Sequence, residues 1–72
     1  MEQPTQPHLT RLLEEKSQLD ERIVKLSRFI YVDNAIYNSL HLQEKLLLLD
    51  QLDAMKKYSD ILNQRLIIGG KL

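Results

Sequence analysis

The 72-residue chain has no cysteine and no tryptophan, only two prolines and two glycines, and no excess of either charge, with ten basic against ten acidic side chains. Without cysteine, disulfides and thiolate metal sites are excluded. The two histidines, His8 and His41, are far apart and lack a carboxylate-rich ligand cluster, so no metal and no other cofactor is expected. A net charge of zero with no basic tract argues against a coat for nucleic acid or for an anionic membrane. The opening MEQPTQPH carries both prolines and no long apolar run, so residues 1–7 read as a flexible lead-in and not as a signal peptide or membrane span. A cytoplasmic location is the corresponding expectation. Internal repeats and low-complexity segments are absent as well.

Leucine at helical spacing fills the remainder. Leu48, Leu52, Met55, Leu62 and Leu66 recur in alternating steps of four and three, broken by Ser59. An earlier stretch repeats the pattern: Leu9, Leu12, Leu19, Ile23, Leu26 and Ile30 keep the alternation once Lys16 is counted as its one polar member. Leu13, Val24 and Phe29 widen that apolar face beyond a simple seam. Thr5 and Thr10 are the candidate caps of the first helix, and Gly69-Gly70 is expected to stop the second. Asp33-Asn34 and Asn38-Ser39 break the period between them, with room for a short helical turn through Ala35, Ile36 and Tyr37.

The expected fold is therefore all-α: a two-helix antiparallel hairpin over residues 8–68, assembling into a symmetric oligomeric helical bundle. Helix 1 takes about 8–32, a connector 33–40 and helix 2 about 41–68, with 69–72 a flexible C-terminus. A hairpin this short encloses too little apolar surface alone, so the chain itself is its first expected partner. Leu12, Leu19, Ile23, Leu26, Ile30, Leu48, Leu52, Met55, Leu62 and Leu66 form the expected oligomer seam.

No nucleophile elbow, phosphate loop or HExxH helix occurs, so enzymatic activity is not expected. The carboxylate pairs Asp50/Asp53 and Asp20/Glu21 read as solvated helix faces, and His41 as a residue of a capping region. A second row on the later helix is less ordinary. Leu47, Gln51, Ala54, Tyr58, Ile61, Arg65 and Ile68 follow the same steps along the flank of the seam, which stacks Gln51, Tyr58 and Arg65 a heptad apart. An aromatic, a cation and an amide are what an anionic nucleotide requires. With Lys57 beside them and Arg22, Lys25 or Arg28 from the facing helix, these residues are the candidate ligand-binding set. The competing reading makes Tyr58 a half-buried packing residue and Arg65 a surface partner of Asp20 or Glu21.

Leu40, Gln43-Glu44, Leu47-Leu48, Gln51-Leu52, Ala54-Met55, Tyr58, Ile61-Leu62 and Arg65, preceded by LDERIVKL from Leu19 to Leu26, resemble the crAss-phage-related group of small helical proteins. The chain departs from that pattern at His41 and in its longer connector. The resemblance implies a phage or prophage setting and no assigned reaction. By analogy with small oligomeric hairpins of that setting, it implies a sponge for a cyclic nucleotide or ADP-ribose-derived signal of bacterial immunity. An adaptor or inhibitor docking a host protein is the alternative, and a structural role in the virion a third.

Overall fold

A computed structural model describes residues 7–70, and the expectations placed on Thr5, on most of the N-terminal lead-in and on residues 71–72 lie outside them. Three helices follow one another: α1 (Pro7–Tyr31), α2 (Ala35–Ser39) and α3 (Leu42–Gly70), so the described chain is all-α. α1 opens on proline, whose missing N–H costs nothing in a first turn. Thr10 lies inside α1 and does not cap it.

α1 and α3 lie side by side and antiparallel, because residues early in α1 meet residues late in α3. Leu12, Leu19 and Leu62 form one buried cluster, flanked by Leu9, Ile23, Met55 and Leu66. Ile30, Tyr37 and Leu52 form the second, flanked by Ile23, Leu26, Phe29, Leu40, Leu48 and Leu49. Ile23 belongs to both margins and joins them. Leu52 is 2% exposed and Leu62 0%, so the seam closes within one chain. The ten residues expected to form an oligomer seam all lie in or against these two clusters, at the contact of α1 with α3 within one chain.

The turn is more ordered than a plain connector. Both Val32 and Asp33 donate their backbone N–H to the Arg28 carbonyl, closing α1, and the Arg28 guanidinium stands 3.5 Å from the Asp33 carboxylate. Asn34 precedes α2 without donating or accepting a side-chain cap bond, and its carbonyl accepts from the Asn38 N–H. Five residues suffice to carry Tyr37 into the core, where its ring meets Phe29 edge-on at 6.2 Å and its hydroxyl donates to the Lys45 carbonyl at 3.4 Å. Lys45 Nζ lies 5.9 Å over the same ring. Ser39 Oγ donates back to the Ile36 carbonyl at 2.7 Å. The His41 carbonyl then accepts from the Lys45 N–H, which starts α3.

α3 runs two residues past the expected Ile68 and takes in Gly69 and Gly70, where the described residues end. Both glycines are helical and neither has a positive φ. A Cβ on Gly69 would stand 2.5 Å from Leu9 Cδ2, so the missing side chain is the space into which Leu9 packs. That close approach continues the seam to the end of the helix.

Candidate functional site

The two polar interruptions of the seams meet. Lys16 of α1 donates to Ser59 Oγ of α3 at 3.1 Å and to Asp20 Oδ2, one turn along α1, at 2.7 Å. Ser59 in turn donates to Asp20 Oδ1 at 2.5 Å. Ser59 is buried, and both its hydroxyl proton and a lone pair are used, so an otherwise costly buried group is satisfied. The Lys16 hydrogen bond, then that of Ser59, hold the Asp20 carboxyl below its usual range, with the Lys16 charge adding to the effect and partial desolvation opposing it. Asp20 is therefore more than a solvated carboxylate beside Glu21.

An open groove of about 820 Å³ runs along this network. Leu13, Val24 and Leu66 supply an apolar floor, while Lys16, Ser17, Asp20, Glu21, Lys25 and Asn63 supply its polar margin. The margin carries two cations and two carboxylates, so it has no net preference for an anion. Lys16, Asp20 and Ser59 were not in the candidate ligand-binding set. The available signal was that each seam has one polar member, and an antiparallel pair lets two such members satisfy each other.

The candidate ligand residues are distributed differently. Gln51, Lys57, Tyr58 and Arg65 lie exposed on the outer flank of α3, with the Gln51 amide 3.9 Å from Met55 Sδ. Arg65 borders a small hollow formed with His8, Leu9, Leu12, Ile68 and Gly69. Lys25 lines the groove instead, Arg28 is engaged at the turn by Asp33, and Arg22 is exposed on α1. Asp20, offered as a partner for Arg65, is bound by Lys16 and Ser59. Gln51 and Arg65 are two heptads apart, roughly 21 Å along the helix, which exceeds the reach of one small nucleotide. A single chain thus presents these residues as a stripe and does not gather them into a pocket.

The rest of the stripe is apolar and uncovered: Leu47 is 61% exposed, Tyr58 42%, Ile61 47% and Ile68 63%. Among the described residues no group of three or more His, Cys, Asp or Glu stands where it would hold a metal ion, and no helix is long and apolar enough to cross a membrane.

A family model described as Sequestin matches residues 6–68, which takes in α1, α2 and nearly all of α3. The match carries no link to the crAss-phage-related group. No curated protein and no solved structure matches the chain.

Proposed function

The chain belongs to the Sequestin family, and from that membership we propose that it captures a nucleotide-derived signal of bacterial immunity, a cyclic nucleotide or an ADP-ribose derivative, and holds it out of circulation at interfaces between copies of itself. The family's name speaks for sequestration. The observation that carries the ligand class is the exposed row of Gln51, Tyr58 and Arg65 on an otherwise apolar flank, where packing alone would favour leucine or alanine. Such a protein binds and does not transform its ligand. It acts in the cytoplasm of the bacterial host, in a phage or prophage setting, and competes with the receptor by mass action.

Thermal shift tests this reading. A ligand bound by the folded state at 100 times its Kd adds about 2.7 kcal/mol, which for a domain of this size raises Tm by roughly 10–20 °C. A panel of cyclic di- and trinucleotides, cyclic ADP-ribose isomers and ADP-ribose is expected to contain at least one such compound. Flat melting curves across the whole panel would overturn the proposal.

The second reading is an adaptor or inhibitor that docks a host protein without a small ligand. It is favoured by the apolar floor of Leu13, Val24 and Leu66, which the fold leaves uncovered beside a charge-balanced margin.

A further inference from the structure

Lys16 is the single polar member of the seam between Leu9 and Ile30, and Ser59 of the seam between Leu48 and Leu66; every other member is leucine, isoleucine or methionine. Apolar contacts are much alike all along such seams. Sliding one helix by a heptad, about 10 Å, sets leucine against leucine again, and so does pairing α1 with a second α1 or α3 with a second α3. Hydrophobic burial therefore discriminates weakly among these arrangements. The turn discriminates only while it stays closed, because an opened hairpin can exchange its helices with those of another copy at low cost.

The polar set discriminates sharply. Lys16 donates to Ser59 Oγ at 3.1 Å and to Asp20 Oδ2 at 2.7 Å, and Ser59 donates to Asp20 Oδ1 at 2.5 Å, so the three groups close a ring. Ser59 is buried and the Lys16 side chain is only 24% exposed, so water replaces a lost partner poorly. A heptad slip would set Lys16 against Leu52 or Leu66, and Ser59 against Leu9 or Ile23. Two α1 helices would supply ammonium and carboxylate without the hydroxyl; two α3 helices would supply the hydroxyl without Lys16 or Asp20. One α1 with one α3, antiparallel and in the observed register, completes the ring. A slip would also withdraw Gly69 from Leu9, whose side chain fills the space a Cβ there would take.

We propose that Lys16, Asp20 and Ser59 are a pairing lock, which holds α1 to α3 in one register and excludes slipped and like-with-like pairings, with no gain in stability over an apolar seam. The lock is independent of what the protein captures. Its consequence for the surface is that the flank carrying Gln51, Tyr58 and Arg65 stays outward. Removing one member of a buried polar set strands the others and is costly, whereas replacing the set by apolar groups of similar size is often neutral or stabilising. Stability and uniqueness can therefore be measured apart.

The double variant Lys16→Met, Ser59→Ala makes the seam apolar and returns Asp20, whose side chain is already 46% exposed, to solvent. Its Tm at neutral pH is expected to equal or exceed that of the wild type. Its amide NMR spectrum is expected to show more than one resonance for Leu12 and for Leu62, two buried residues of one cluster, where the wild type shows one each. A second apolar filling, Lys16→Leu with Ser59→Ala, guards against a misfit peculiar to methionine. Single resonances in both variants, with the side-chain contact of Leu12 and Leu62 retained, would overturn the lock, because the leucine seam would then select its partner unaided. Failure of both variants to fold, or a lower Tm in both, would overturn it as well, since the ring would then stabilise the pairing and not merely select it.

Discussion

Asp20 accepts from Lys16 and Ser59 while its carboxylate stays half exposed, and the geometry has a direct consequence for acid stability. Its folded-state pKa lies below the ordinary value of 3.8. The stabilisation is therefore present above that value and is lost as pH falls through the folded-state pKa. Asp20→Asn is expected to show a shallower loss of Tm between pH 4 and about 2 than the wild type; superimposable acid limbs would remove the network from the stability account. Tyr37 acts through packing more than through its hydroxyl. It is buried, edge-on to Phe29, and its bond to the Lys45 carbonyl is long at 3.4 Å. Tyr37→Ala is expected to cost about 3–5 kcal/mol in urea unfolding, and Tyr37→Phe about 1 kcal/mol or less. A larger effect for the hydroxyl than for the ring would contradict this assignment.

At the scale of the helices, the two glycines of α3 give opposite forecasts. Alanine at Gly70 meets nothing within 4 Å, so Gly70→Ala is expected to raise stability by a few tenths to about 1 kcal/mol through helix propensity. Alanine at Gly69 meets Leu9 Cδ2, and Gly69→Ala is expected to lose that gain to displacement of Leu9. Thermal melts of the two variants check the contrast; an equal rise in both would mean that Leu9 moves freely. These glycines show where the sequence was hard to read. A glycine pair after a leucine period signals a stop unless a distant side chain occupies the space, and Leu9 lies sixty residues away. The period of three and four was legible because it depends on local spacing, and the ten residues it singled out lie in or against the buried clusters of α1 and α3. The meeting of Lys16 with Ser59 was not, because spacing within a helix does not fix the register between two. Neither was Tyr37, since a five-residue helix is too short for a period.

For the whole molecule, the seam is spent within the chain and the outer stripe is left over, so substitutions on the two faces separate folding from assembly. Leu52→Asp or Leu62→Asp places an unpaired charge in the closed seam and is expected to unfold the chain, at a cost of several kcal/mol. Ile61→Asp, one residue from Leu62 but half exposed, is expected to leave the circular dichroism spectrum helical while lowering the sedimenting mass, if copies of the chain meet through this flank. An unchanged mass would place any contact between copies elsewhere, with the Leu13–Val24–Leu66 groove as the next surface to probe. Of the candidate ligand set, the stripe residues Gln51, Tyr58 and Arg65 were legible as an anomaly in a packing pattern. Spacing along one helix puts them on one flank of α3 and does not gather them into a pocket.

Capture of a nucleotide-derived signal is the central claim, and calorimetric titration of the wild-type protein tests it most directly. With cyclic di- and trinucleotides and cyclic ADP-ribose isomers as titrants, the account predicts a saturable heat for at least one compound. No heat above dilution for any of them would contradict it.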